Sequence, residues 1–288
     1  MIALGDFQVS RVVEYEGSFV RPEELFIGFD GSLLERNRDW LGPVLDPQTG
    51  LLLLSFHSFV LRTSKHTILI DSCMGNDKER PLRPLGHHRS GNFLQRLANA
   101  NVRPDEVDFV MCTHLHWDHV GWNTQLLDGR WIPTFPNARY IMSKTEYEHW
   151  DRVHASGQPS MHGLAFQDSI QPIVRAGRAV LVEDGHCVED GVWVESCPGH
   201  TPGNAVINVR SNGSRAVFSG DVIHSPLQLA QPDLSSYACH NPAASAAARR
   251  KFIEKVADTG TVVMPAHFLA PSAGHILANG DAFKFVPV

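Results

Sequence analysis

The feature that most constrains this chain of 288 residues is the stretch at residues 110–122, V-M-C-T-H-L-H-W-D-H-V-G-W. An apolar run at residues 107–112 predicts a short buried strand, and four polar side chains follow it directly. Ionisable groups seldom crowd the end of a buried strand without a partner to stabilise them. The four residues are His114, His116, Asp118 and His119.

The spacing of these residues predicts two metal ions. His114 and His116 are two apart, so an extended backbone would point both side chains the same way. Asp118 and His119 follow after the chain has turned, and they can face a second point nearby. One ion could not easily take all four side chains, whereas two neighbouring ions could.

Further ligand-type residues stand at the ends of other predicted strands. His200 follows an apolar strand at 192–196, Asp221 follows one at 216–219, and His267 follows one at 262–264. Each is a weak signal alone. Asp71 likewise follows the apolar run 66–70, and on sequence alone a turn cap is its favoured role.

The order of these residues resembles the signature of the metallo-β-lactamase superfamily: T-H-L-H-W-D-H, and then H, D and H. The resemblance implies an α/β fold, the four-layer αββα sandwich, here as a single domain over residues 1–288 with an irregular segment at 18–50. It implies one metal ion held by His114, His116 and His200, and a second held by Asp118, His119 and His267. It also implies that Asp221 bridges the two ions and that Asp71 lies behind the ligands.

Such a ligand set, with nitrogen and oxygen atoms and no thiolate, suits two zinc ions per chain, and also iron, manganese or cobalt. A hydroxide bridging two ions would serve as the nucleophile, with Asp118 and Asp221 as catalytic carboxylates. Asp221 stands where class B β-lactamases commonly carry a cysteine, which argues against that activity. The expected function is hydrolysis of a small apolar ester or lactone.

Within the superfamily, the lactonase-like and phosphotriesterase-like branches remain, and the run G-D-V-I-H at 220–224 and the Ala/Arg-rich helix after Asn241 resemble methyl parathion hydrolase. Organophosphate triester hydrolysis is therefore an alternative, and diiron redox chemistry is an alternative of another class. His224 stands where N-acyl homoserine lactonases have a tyrosine; it is assigned either to the substrate and its leaving group or to support of a ligand. Trp117, Trp122 and Phe268 flank ligands, and they either line an apolar pocket or belong to the core.

Composition limits the partners. A formal charge of −6 gives no basic surface, so we expect a small-molecule substrate and neither nucleic acid nor a membrane. Five cysteines without C-x-x-C spacing, and no signal-peptide pattern at the N-terminus, favour a cytoplasmic protein. The long segment at 18–50 is a surface loop, a pocket wall or, by resemblance, part of a homodimer contact.

Periodicity predicts the remaining elements. Runs at 51–61 and 66–70 predict a hairpin, and helical spacing is found at 92–101 and 144–154. Asn241 followed by Pro242 predicts the N-terminus of a helix that ends near residue 257. Residues 156–165 break all periodicity and predict a flap, and 261–264 predicts the last core strand.

Overall fold

The computed structural model describes residues 1–157 and 160–288, which divide into two compact units. The first unit consists of Met1–Glu14 and Phe56–His186, and the second of Tyr15–Ser55 and Cys187–Val288. The single domain expected over residues 1–288 stays a prediction.

Two sheets and a separate hairpin contain the strands. In chain order, these are β1 (Ile2–Leu4), β2 (Phe7–Ser18), β3 (Leu53–Arg62), β4 (Thr67–Ile70), β5 (Phe109–Met111), β6 (Thr124–Leu127), β7 (Arg130–Pro133), β8 (Arg139–Ser143), β9 (Ala179–Val182), β10 (Cys187–Glu189), β11 (Val192–Ser196), β12 (Ala205–Ser211), β13 (Ser214–Gly220), β14 (Val262–Pro265), β15 (Gly274–Asn279) and β16 (Ala282–Pro287).

The helices are mostly short. In chain order, they are α1 (Pro22–Leu25), α2 (Ser32–Arg36), α3 (Arg38–Leu41), α4 (Phe93–Asn99), α5 (Lys144–Ala155), α6 (Met161–Ala165), α7 (Gln171–Arg175), α8 (Leu227–Ala230) and α9 (Pro242–Val256), with a π-helical turn at Phe166–Ile170 and 3₁₀ turns at Pro104–Glu106 and Gly121–Asn123. Within residues 1–157 and 160–288, no helix has both the length and the apolar character needed to cross a membrane.

The first sheet has the strand order β1-β2-β3-β4-β5-β8-β9. The hairpin predicted from the sequence is present, because β3 pairs antiparallel with β4. Strand β5 lies between β4 and β8 and is parallel to both, so the carboxyl ends of the three strands meet at one edge. Asp71 after β4 and His114 after β5 therefore leave the sheet on the same side.

The second sheet follows chain order from β10 to β16 and is antiparallel except for the parallel pair of β13 and β14. Asp221 follows β13 and His267 follows β14, so these residues leave the sheet at the same edge. Strand β11 runs in the direction of β13, since both are antiparallel to β12, and His200 follows β11 at that edge as well.

Helix α9 covers part of the second sheet. As predicted, Asn241 is its N-cap and its side chain accepts a hydrogen bond from the Ala244 amide at 3.0 Å, a contact worth about 1 kcal/mol. Phe252 and Ile253 on its inner face join a buried cluster that includes residues of β12 to β16. Burial of each such side chain contributes about 1.5–3 kcal/mol.

Three stretches differ from expectation. Residues 18–50, predicted to be irregular, contain α1, α2 and α3, which are too short for helical periodicity to show in the sequence. Residues 161–165 of the predicted flap form α6, and residues 158–159 lie outside the described residues. Strand β14 is not the last strand: β15 and β16 follow it, and their alternation is hidden because few of their side chains are fully buried.

A buried charge cluster supports the first unit. Lys78 and Arg80 are both fully buried, and Arg80 donates two hydrogen bonds to Asp168 at 2.7 and 2.9 Å. Lys78 Nζ donates to Thr124 Oγ1 at 2.6 Å and lies 3.5 Å from the centre of the Trp131 ring. Burial lowers the pKa of Lys78 from 10.5 to about 7, and the nearby Asp168 opposes that shift.

We expect Lys78 to make stability rise with pH. Above pH 7 the folded protein holds the amine neutral while the unfolded chain still binds a proton, up to about pH 10. The wild type should therefore gain up to about 1.4 kcal/mol of unfolding free energy per pH unit, relative to Lys78→Met, between pH 7 and 10. Urea unfolding of both proteins at several pH values measures this difference, and parallel pH profiles would contradict it.

Candidate metal centre

In the first unit the predicted ligands follow β5 and are almost all buried. His114, His116 and His119 are 4% exposed or less, and Asp118 is only partly exposed. The His114 ring lies 4.6 Å from the ring of His116 and 4.0 Å from that of His119, measured between centroids. His119 Nε2 is 3.9 Å from Asp118 Oδ2. The unit therefore brings its four predicted ligands together.

Hydrogen bonds in the first unit fix the histidine rings. Asp71 accepts from the Thr113 amide and hydroxyl, both at 2.8 Å, and from His119 Nδ1 at 2.9 Å. Because the Thr113 hydroxyl donates to Asp71, its oxygen accepts from His114 Nδ1 at 3.1 Å. Both rings thus carry their proton on Nδ1, and the lone pair lies on Nε2. This is the arrangement of metal-binding histidines held by outer partners.

In the second unit Asp221 lies among three histidines. Its Oδ2 is 3.3 Å from Nε2 of His200 and 3.3 Å from Nε2 of His224, and its Oδ1 is 3.0 Å from Nε2 of His267. All four side chains are buried. Sequence reasoning placed His200, Asp221 and His267 in one site, and this unit does bring them together.

The outer partners in the second unit also leave the lone pairs on Nε2. His267 Nδ1 donates to the Ser55 carbonyl at 3.0 Å, and His200 Nδ1 lies 3.4 Å from Cys239 Sγ. Burial raises the pKa of the Cys239 thiol, which keeps it protonated. Gln228 Oε1 accepts from the His224 amide at 2.7 Å and lies 3.3 Å from His224 Nδ1.

This electrostatic arrangement fits a cation. The lone pair on each histidine Nε2 faces an Asp221 oxygen at 3.0–3.3 Å, and the lone pair and the carboxylate repel each other unless a positive charge lies near both. Imidazole nitrogen and carboxylate oxygen are ligands for zinc and for other first-row divalent ions. The described side chains of each unit therefore suit the metal that the sequence predicts.

Sequence reasoning missed three residues near the ligands. Glu146 is buried and accepts hydrogen bonds from the Leu115 amide at 3.1 Å and from Trp150 Nε1 at 2.7 Å. The sequence does carry a signal for Glu146, because Ser143-x-x-Glu146 resembles a capping box at the start of α5. The His162 ring stacks on that of His116 at 3.9 Å. Cys239 is the third. No sequence signal marks His162 or Cys239, because their contacts depend on the fold.

The aromatic residues predicted to line a pocket lie in different surroundings. Trp122 stacks on Phe93 and donates to Glu14 at 2.7 Å, and the buried Trp117 lies 6.3 Å from Phe56, between ring centroids. Phe268 belongs to the buried cluster of the second unit and also walls a cavity of about 200 Å³. That cavity is mostly apolar, and its other walls include Trp40, Leu41, Leu53, Pro226, His267 and Leu269. The pocket role of the three aromatic residues stays a prediction.

Histidines and aspartates at the strand ends of two mixed sheets are typical of a metal-dependent hydrolase built as an α/β sandwich. The model of the metallo-beta-lactamase superfamily matches residues 55–267, and the chain belongs to that superfamily. The predicted fold class and superfamily are thereby confirmed, and the His/Asp cluster supports metal binding; the assignment of individual ligands stays a prediction. The methyl parathion hydrolase branch stays a prediction.

Curated relatives include N-acyl homoserine lactonases. The chain is 25% identical over 183 residues to the N-acyl homoserine lactonase AiiA of Bacillus thuringiensis subsp. kurstaki, a match that covers 58% of this chain and 63% of the relative. An N-acyl homoserine lactonase of a Bacillus species is 26% identical over 182 residues with the same coverage. The chain thus spans 63% of the length of these relatives.

Solved structures share the fold over the whole chain. The hydrolase AbOPH of the beta-lactamase superfamily has a TM-score of 0.83 at 24% identity, with 100% of this chain and 96% of the other covered. AidC, a dizinc quorum-quenching lactonase in complex with a product, has a TM-score of 0.78 at 20% identity and the same coverage. At these identities the likeness shows the fold.

Proposed function

We propose that this protein is a dinuclear metal-dependent hydrolase that cleaves a small apolar ester or lactone. The observation that carries the proposal is the set of buried histidines and aspartates at strand ends, with imidazole lone pairs turned toward carboxylates, in a chain of the metallo-β-lactamase superfamily. Zinc is the expected ion, and iron, manganese and cobalt suit the same ligands.

The ligand assignment is part of the proposal. One ion would be held by His114, His116 and His200. The other would be held by Asp118, His119 and His267, and Asp221 would bridge the two. Two divalent ions, when bound, supply a hydroxide nucleophile near neutral pH and polarise the substrate oxygen.

The protein's own groups would orient the reaction. Hydrolysis adds one water across the acyl–oxygen bond, so the products are a carboxylic acid and an alcohol, which remain one molecule when the substrate is a lactone. His224 Nε2 lies 3.3 Å from Asp221 Oδ2, and Gln228 fixes the other side of the ring. We assign His224 to the leaving oxygen: its Nε2, which carries the lone pair, would take up the proton released as water attacks and pass it to that oxygen.

Two observations support an apolar substrate. The matched relatives named above are lactonases of N-acyl homoserine lactones, which carry an acyl chain. In the second unit, the predicted ligand His267 and its neighbour Phe268 line the 200 Å³ cavity together with Trp40 and Leu41. We assign this cavity to the apolar arm of the substrate, which gives part of the segment at 18–50 a function.

A metal and substrate measurement tests the proposal. We expect protein purified without added metal to hold about two divalent ions per chain and to hydrolyse p-nitrophenyl esters and γ-lactones. Trp40→Ala should raise KM for long-chain substrates about tenfold or more and leave KM for acetyl esters nearly unchanged. A tenfold change corresponds to about 1.4 kcal/mol of binding free energy, which the lost burial of the substrate's acyl chain would account for. Gly31→Ala, where an added methyl group meets nothing within 4 Å, is the control.

Other outcomes would redirect or overturn the assignment. Activity confined to phosphotriesters would favour the organophosphate triesterase alternative. Two bound iron ions with oxygen consumption would favour diiron redox chemistry. A folded wild type that binds no metal, or that is inactive toward all of these substrates when loaded, would contradict the proposal.

A further inference from the structure

A cysteine lies behind one predicted ligand in the second unit. His200 Nδ1 is 3.4 Å from Cys239 Sγ, and the Cys239 thiol donates its hydrogen to Ser245 Oγ at 3.2 Å. Since a thiol has one proton and that proton is used toward Ser245, the sulfur acts as the acceptor for His200 Nδ1–H. The lone pair of His200 is then on Nε2, which faces Asp221.

The surrounding backbone holds this contact in place. The His240 amide donates to the His200 carbonyl at 2.7 Å, so the cysteine segment is tied directly to the ligand loop. Gly199 packs so closely on α9 that an added Cβ would lie 2.7 Å from Ser245 Cα. The fully buried Arg249, one turn further along α9, donates to Ser245 Oγ at 3.1 Å. The thiol is therefore part of a packed network rather than a residue near the ligand by chance.

The acceptor of Nδ1–H differs among the histidines. His119 donates to a carboxylate at 2.9 Å, His267 to a carbonyl at 3.0 Å, and His114 contacts a hydroxyl at 3.1 Å. His200 has a thiol sulfur at 3.4 Å, which is the weakest acceptor in this comparison. A strong acceptor on Nδ1–H raises the basicity of Nε2 and fixes the ring, whereas a weak acceptor does less of both.

We propose that Cys239 is the positioning residue of His200, and that its weak acceptor makes the ion bound by His200 the first to dissociate. This inference rests on the proposed function, because it takes His200 to be a metal ligand. The ion bound by His119 and His267, whose Nδ1 atoms have oxygen acceptors, is then the one that is retained longer.

Stepwise removal of cobalt tests the inference. The protein is loaded with Co²⁺, freed of excess metal and titrated with EDTA, while retained metal is measured by mass spectrometry and by the visible Co²⁺ absorption. We expect two release steps in the wild type, with the first step missing in His200→Ala. In Cys239→Ala, the first ion should be released at an EDTA concentration about 10–100-fold lower than in the wild type, and the second at an unchanged concentration.

Matched variants separate positioning from packing. Cys239→Ser keeps an acceptor at this position and should restore the first step, and Cys187→Ser, on the exposed cysteine of β10, should behave as wild type. If Cys239→Ala does not fold, Ser245→Ala provides the test. Without Ser245 Oγ the thiol loses the acceptor of its proton, and that proton can then turn toward His200 Nδ1–H and repel it. The first release step alone should then occur at a lower EDTA concentration. An unchanged first step, or an equal shift of both steps, overturns the inference. A wild type that takes up no cobalt overturns the proposed function itself, a result that is distinct from both.

Discussion

Asp221→Asn is expected to remove most of the bound metal and to lower kcat/KM by about 10³-fold or more. Under the proposed assignment the charge of Asp221 would stabilise both ions, and a loss of several kcal/mol of that stabilisation corresponds to about tenfold for each 1.36 kcal/mol. The fold should survive, because an asparagine Nδ2 in place of Asp221 Oδ2 can donate to the lone pairs of His200 and His224, which both face that atom. Metal content by mass spectrometry, steady-state kinetics and circular dichroism measure the three effects.

The control for this substitution is Asp281→Asn, which makes the same chemical change at an exposed position between β15 and β16. It should keep the metal content and activity of the wild type. Full metal content in Asp221→Asn would show that this carboxylate is not a ligand, and the bridging assignment would then fail.

Asp71→Ala is expected to destabilise the metal-free protein by about 3 kcal/mol or more. The change leaves three buried donors without the carboxylate: the Thr113 amide, the Thr113 hydroxyl and His119 Nδ1–H. Asp71 also has a φ of 53°, a left-handed conformation that costs alanine more than aspartate. Urea unfolding of the metal-free proteins gives the difference in unfolding free energy.

Two further variants divide this loss into its causes. Asp71→Asn keeps the backbone preference and one acceptor oxygen, so it should lose less than half as much stability while still weakening metal binding about 10–100-fold. Asp128→Ala, at an exposed residue with a φ of 49°, reports the backbone cost alone. If Asp71→Ala were no less stable than Asp128→Ala, the hydrogen-bond network would have no part in holding the fold.

The strands and predicted ligands could be found from the sequence because their signals are local. An apolar run followed by a polar residue beside glycine or proline marks a strand end, and parallel neighbours such as β13 and β14 bring such ends together. The N-cap of α9 was equally local, since Asn241 and Pro242 are adjacent in the chain.

The residues that hold the ligands in place could not be found in this way. Cys239 contacts the side chain of His200, 39 residues earlier in the chain, and Glu146 accepts from the amide of Leu115, 31 residues earlier. Their roles therefore depend on the fold. The short helices α1 to α3 offer too few turns for periodicity to show. Packing, rather than pattern, determines these parts of the molecule.

The bond from His267 to the carbonyl of Ser55 joins residues that are 212 positions apart. At roughly 5–20 residues per second, a ribosome needs about 10–40 s to make the chain between them. Until synthesis reaches residue 187, Tyr15–Ser55 is without any part of the segment Cys187–Val288 that completes its unit. The histidine of this bond can therefore reach its backbone acceptor only after Cys187–Val288 has been made as far as residue 267, long after Ser55 itself.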